Sequence, residues 1–119
     1  MTDLKHLFLP YELSLIAEQK GFNDPCLAIY QIATKSFELI RTSHYDYVIN
    51  SEVGSEYVCA PLYQQVTSWL RTLNVAVIQS PFGQWYVNEL KNEVSVMRFS
   101  TPNINQAIEQ AFKIIPDKK

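Results

Sequence analysis

The pattern of apolar and polar positions is clearest in the second half of the chain, where it predicts two helices around three strands. Apolar residues across 62–73 recur at the three- and four-residue spacing of a helix face, and those across 104–115 do the same. Between these segments, short apolar or alternating runs are typical of strands. We therefore expect a helix at 60–73, strands at 75–79, 84–90 and 94–99, and a helix at 103–115.

The first half of the chain gives weaker patterns. A helix is expected at 11–20, with Pro10 before it and Gly21 after it. Strands are expected at 26–32 and 36–41, and the alternation of 45–50 favours a third. Residues 51–55 are interpreted as a loop, and the segment 41–59 has the least distinct pattern.

These elements predict the α+β class, with a mainly antiparallel sheet, two or three helices, and α-β-β-β-α order in the C-terminal half. The simplest arrangement is a single sheet with its helices on one face. The N-terminal strands either extend that sheet or form a separate small layer. We expect one domain over 1–119, with 1–9 and 116–119 frayed, because neither half alone has much apolar material for a core.

Composition narrows the function classes. The chain has 119 residues, of which 47% are hydrophobic and 18% charged, against about 25% charged in typical globular proteins. The net charge of −2 creates no field that attracts phosphates or anionic lipid. The low charge is typical either of a contact surface or of a surface rich in Asn, Gln, Ser and Thr.

Location is predicted from the cysteines and the apolar runs. Cys26 and Cys59 are far apart in sequence and are interpreted as small buried residues of a protein in a reducing compartment. No segment has the pattern of a signal peptide or the length of a membrane span. We therefore expect a cytoplasmic protein with no membrane contact.

Catalytic and metal-binding patterns are scarce. Nucleophilic catalysis needs a nucleophile, a base and an orienting group, and the only histidines are His6 and His44. A pair between His44 and either cysteine is conceivable in space, but no motif supports it. Metal-ligand spacings and phosphate-binding glycine loops are also missing. We therefore expect no cofactor and no metal, and a protein that is not an enzyme.

The order α-β-β-β-α is shared with double-stranded RNA-binding domains. In that family a basic cluster at the start of the last helix contacts phosphates, whereas 101–110 here has no Lys or Arg and includes Glu109. Stacking of single-stranded bases on Trp85 or Tyr86 is the other route, although core packing explains Trp85 better. Nucleic-acid binding stays as an alternative function.

Uncharged aromatic residues are the remaining candidates for a functional surface. Aromatic side chains in a setting of low charge are typical of partner interfaces, but they also pack back on small domains. Edge strands offer a second route to association, including a homodimer. The partner-binding candidates are Tyr45, Tyr47, Tyr57, Tyr63 and Phe82.

Two segments carry a resemblance, namely 60–71 (APLYQQVTSWLR) and 20–28 (KGFNDPCLA). Both are similar to a group of short proteins from Bacteroidetes genomes and their phages that carry an "APxYQQ…WLR" helix, and the similarity extends over about 10–115. No activity is known for that group. The resemblance implies an intracellular accessory protein, plausibly encoded by a phage or mobile element. The segment between Ile32 and Ala60 is longer here, so no partner residue is carried over from it.

The sequence therefore favours a small non-enzymatic protein that acts through contacts with an unknown protein partner or with its own copy. A nucleic-acid-binding module is one alternative. A small-ligand-binding protein or small enzyme, with a pocket between sheet and helices, is the other.

Overall fold

The structure is a computed structural model that describes residues 5–40 and 47–117. It contains three α-helices and two three-stranded antiparallel sheets. A 3-10 turn at Lys5–Leu7 precedes them. In chain order they are α1 (Tyr11–Gln19), β1 (Ala28–Gln31), β2 (Ser36–Leu39), β3 (Tyr57–Cys59), α2 (Tyr63–Thr72), β4 (Val75–Gln79), β5 (Trp85–Lys91), β6 (Val94–Thr101) and α3 (Ile104–Ile114).

The predicted α+β class and the α-β-β-β-α order of the second half are confirmed. The single sheet expected for that half forms as β4-β5-β6, and of the two alternatives left open for the N-terminal strands the structure has the second, a separate small sheet in the order β2-β1-β3. Strand β1 has an antiparallel neighbour on each side, with Tyr30 opposite Phe37 of β2 and Val58 of β3. Both of its edges are therefore occupied, so it has no edge left for a C-terminal strand.

The segment before α2 differs from the prediction in two ways. Strand β3 was not predicted, because three residues are too few to show an alternating pattern. The strand expected at 45–50 does not form over 47–50, where Val48 makes only an isolated bridge with Cys26; Tyr45 and Asp46 lie outside the described residues. Cys26 and Val48 form a single bridge and not a longer ladder, because the chain turns again at Asn50.

Helix α2 begins at Tyr63 rather than at Ala60. The N–H of Ala60 donates to the carbonyl of Ala28 at 2.9 Å, and the carbonyl of Pro61 accepts from the N–H of Leu9 at 2.8 Å. The residue before a proline is disfavoured in helical conformation, which keeps Ala60 extended. Pro61 therefore belongs to the crossing between the sheets, and the helix starts two residues after it.

The main core joins both halves of the chain. Helix α3 packs on all three strands of the C-terminal sheet and also on α1. Its side chains Ala107, Ile108, Ala111 and Phe112 are buried, as its apolar periodicity predicts. At its start, Asn103 caps the helix, since its side chain accepts hydrogen bonds from the backbone.

Several residues near both ends of the described part of the chain are held in place. Phe8 and Leu9 were expected to fray, but they are buried, because their apolar side chains find cover between the sheets and α1. Near the other end, Lys20 Nζ donates to the carbonyl of Ile115 at 2.8 Å and lies 2.8 Å from a carboxylate oxygen of Asp117. A basic side chain beside the last carbonyls of α3 also matches the helix dipole.

A smaller core cluster lies around Tyr30 in the N-terminal sheet. The Tyr30 ring contacts Tyr11 and Phe37 edge-on, with centroids 5.6 Å away in each case. Its hydroxyl donates to the carbonyl of Leu9 at 2.8 Å. Burial raises the pKa of this hydroxyl to about 12.

We expect Tyr30→Phe to lower the free energy of unfolding by about 1 kcal/mol at pH 7, since it removes a buried hydrogen bond. The raised pKa means that the unfolded state ionises first, so wild-type stability declines as pH rises from about 10 to about 12. That decline should be smaller in the variant. Urea denaturation across this pH range checks both effects, with Tyr47→Phe, on an exposed ring, as the control.

Candidate interaction surface

The C-terminal sheet has one face in the core and one face turned outward. On the core face, Val75, Val77 and Val87 are buried beneath the helices. Trp85 also packs against this core, so core packing, rather than base stacking, accounts for its ring. Because neighbouring side chains in a strand point to opposite faces, the residues between these belong to the outer face.

The outer face carries apolar and uncharged polar side chains and no charged one. The pairing register places Ala76, Asn88 and Met97 in one row across the sheet. The exposed fractions of Met97, Leu90 and Ile78 are 60%, 47% and 45%. We define the outer face by its residues, which are Ala76, Ile78, Tyr86, Asn88, Leu90, Ser95, Met97 and Ser100.

An irregularity in the sheet keeps the nearby charges off this face. The register between β5 and β6 shifts between Val87 and Asn88, which leaves Arg98 as an extra residue in β6. Arg98 Nε donates to Glu89 Oε1 at 3.0 Å. Glu89 pairs with Val75 and so belongs to the opposite side. The ion pair is partly exposed and adds little stability, but it directs both charges away from the outer face.

A shallow recess of about 240 Å³ lies at one end of the outer face. The end of α2 contributes Arg71 to its rim, and the strands contribute Asn88 and Ser95. Asn88 Oδ1 is buried there and has no hydrogen-bond partner among the described residues. A buried acceptor without a partner costs about 1–3 kcal/mol, so this amide oxygen is a place on the face where a new hydrogen bond would be favourable.

Phe82 lies beside this sheet, at the turn between β4 and β5, and its side chain is 95% exposed. Ser80 Oγ accepts from the N–H groups of Phe82 and Gln84, at 3.2 Å each. Gly83 follows with a φ of +88°, a conformation that L side chains rarely adopt. The turn is therefore built locally, and it holds a large apolar ring in solvent.

The predicted tyrosines do not gather around Phe82. Tyr47 is 56% exposed, and Tyr57 is half-buried in β3 of the other sheet. Tyr63 packs against the main core, and its hydroxyl donates to Asn105 Oδ1 at 2.6 Å, tying α2 to α3. Tyr45 lies outside the described residues, as does His44.

The two segments that carry the resemblance meet in space. Gln65 accepts from the N–H of Leu62 at 2.9 Å, and its Nε2 donates to the carbonyl of Pro25. The rings of Phe22 and Trp69 contact edge-on, with centroids 5.4 Å apart. The sequence motif thus forms a structural joint between α2 and the turn before β1.

The two cysteines lie in that same region and are free and buried. Cys26 exchanges backbone hydrogen bonds with Val48, and the Cys59 thiol donates to the carbonyl of Val48 at 3.6 Å. A hydrogen bond with the Cys59 thiol, together with burial, raises the pKa of Cys26. The Cys26 thiol is therefore a poor nucleophile, because the thiolate is the reactive form. The same hydrogen bond lowers the pKa of Cys59, an effect that burial of Cys59 opposes.

Within 5–40 and 47–117, no three His, Cys, Asp or Glu side chains converge as a metal site requires. Over the same residues, no helix has the length and apolar character needed to cross a membrane. Comparisons with protein-family models, curated proteins and solved structures find no match for this chain. The function must therefore be argued from the surface itself.

The sequence-based partner-binding candidates include no residue of the outer face and only the neighbouring Phe82, and Tyr86 was considered only for base stacking. In β4, both faces are apolar, so the sequence gives no sign of which face the helices leave open. The available signal for an exposed apolar face was in β6, where Met97 shares a face with Ser95. An apolar side chain there lies among exposed polar ones.

The two faces of the sheet should respond differently to substitution. We expect Val87→Ala, on the core face, to lower the free energy of unfolding by about 2 kcal/mol, because it leaves a cavity. Met97→Gln, on the outer face, should change it by less than about 0.5 kcal/mol. Urea denaturation of dilute protein measures both. A large loss for Met97→Gln would mean that its side chain is covered within the single chain.

Proposed function

We propose that this protein is a non-enzymatic binding protein that acts through protein contacts made by the outer face of the C-terminal sheet. The observation that supports this most directly is the exposure of Ile78, Leu90 and Met97 on one ordered, uncharged sheet face. Exposed apolar side chains gathered on one sheet face are typical of interaction sites in folded proteins.

The energetics favour such a contact. Covering apolar surface is worth roughly 25 cal/mol per Å², and the outer face has no charge whose desolvation would oppose it. The backbone of this face is held by two antiparallel ladders, β4 with β5 and β5 with β6. A surface that is already ordered loses little conformational entropy on binding.

The location is part of the proposal. Cys26 and Cys59 are both free thiols although they lie close enough to share a hydrogen bond. Free paired thiols are typical of reducing compartments. We propose that the protein works in the cytoplasm as a small accessory protein.

The recess beside Asn88 favours small-ligand binding as the second candidate function. Arg71 at its rim and the unpaired Asn88 Oδ1 offer one cation and one acceptor to a polar ligand. Nucleic-acid binding has less support, because the outer face offers Tyr86 for stacking but its own residues include no Lys or Arg. Thermal stabilisation by a metabolite panel, and a gel shift with single-stranded RNA at low salt, test these two functions.

A photo-crosslinking amino acid in place of Met97 tests the leading proposal. Irradiation of the tagged variant in lysate of the source organism should give discrete protein–protein products, resolved by mass spectrometry. The same amino acid in place of Glu38, which is exposed on β2 of the other sheet, is the matched control. Products from position 97 only, whether with this chain or another, are the expected result.

Two results would contradict the proposal. One is the absence of products from position 97 under conditions in which the probe reacts with added peptide. The other is an equal product pattern from positions 97 and 38, which would mean that contact is not specific to the outer face.

A further inference from the structure

We infer that the outer face is covered by a second copy of this chain, and that the two copies are related by a two-fold axis running along β5. This inference rests on the proposed function and names the partner. Isologous pairing of one patch with itself is the commonest arrangement in homo-oligomers.

The first support is the size of the side chains on either side of β5. In one row, small Ala76 of β4 and large Met97 of β6 flank Asn88. In the next row, large Ile78 and small Ser100 flank Tyr86. Each row therefore has one large and one small neighbour of the central strand.

A two-fold axis along β5 exchanges the two edges of the sheet. It places Met97 opposite the partner's Ala76, and Ile78 opposite the partner's Ser100. Large side chains then fill the space above small ones, which is the interdigitation that sheet-on-sheet packing requires. An axis across the strands would instead oppose Met97 to Met97 and leave Ala76 facing Ala76.

The second support is the chemistry of the polar groups. Asn88, Tyr86, Ser95 and Ser100 each both donate and accept hydrogen bonds. Such groups pair with their own kind, whereas a face of carboxylates or ammonium groups repels its copy. A charged partner would find no opposite charge on the outer face, so the surface suits a copy of itself.

Asn88 has the central place in this arrangement. It is the middle residue of β5, which is the middle strand, and so it lies on the inferred axis. Rotation of its amide toward the interface lets each copy donate through Nδ2 and accept through Oδ1. That exchange gives a partner to the acceptor that has none within the described chain.

The size of the surface predicts a weak dimer. Three strands about 4.8 Å apart and about seven residues long cover roughly 14 by 23 Å, or about 320 Å². A standard interface buries about 800 Å² per partner. The association should therefore depend on concentration in the micromolar to millimolar range.

Sedimentation velocity tests the inference, from about 10 µM to about 1 mM protein. The wild type should shift from monomer to dimer over this range. Asn88→Asp and Asn88→Lys, measured separately, should each weaken association at least about tenfold, since each opposes like charges across the axis. An equimolar mixture of the two variants should recover a dimer, because the opposite charges then face each other.

The mixture also controls for folding, since misfolded variants would not restore each other. Glu38→Lys, which changes charge on the other sheet, should leave association unchanged. A wild type that stays monomeric at about 1 mM, or variants whose mixture is no better than either alone, would overturn the inference. If position 97 still crosslinks to a different protein in that case, the proposed function stands and only the identity of the partner is wrong.

Discussion

Helix α3 lies across one face of the C-terminal sheet, and the rest of the structure depends on that contact. Its buried side chains, centred on Ile108 and Phe112, join the three strands to α1 and so unite the two halves of the chain in one core. Lys20 fixes the end of the helix at the carbonyl of Ile115. Since the helices that cover this sheet lie on one side of it, its other side is left to solvent or to a partner.

The packing of the helices on one side of the sheet also explains which parts of the fold could be predicted from the sequence. Helix periodicity reports a buried stripe directly, so α3 and the buried face of α2 were predicted from Ile104 to Ile115 and from Leu62 to Leu73. Strand patterns report burial but not pairing, so the sequence left open whether the N-terminal strands extend the C-terminal sheet or form a separate one. The helix expected from residue 60 begins only at Tyr63, because the residue before a proline is disfavoured in helical conformation and Ala60 is therefore extended.

The candidate surface was less predictable than the fold. Aromatic residues were chosen as candidates from the sequence, yet the hydroxyl of Tyr63 forms a hydrogen bond with Asn105 within the molecule. The side chains that form the outer face, such as Met97 and Leu90, are ordinary in sequence and become notable only when the register aligns them. The surface could not be predicted from the sequence for a physical reason. Which side chains share an exposed face depends on which strands are neighbours and on which side of the sheet the helices pack.

The reactivity of Met97 tests the central claim most directly, because this residue lies on the outer face beside the central Asn88 and is 60% exposed in the single chain. We would measure its rate of oxidation by dilute hydrogen peroxide with mass spectrometry, at about 10 µM and about 1 mM protein, with free methionine as the internal standard. Coverage of the face by a second copy predicts a several-fold slower rate at the higher concentration. An equal rate at both concentrations would contradict the account.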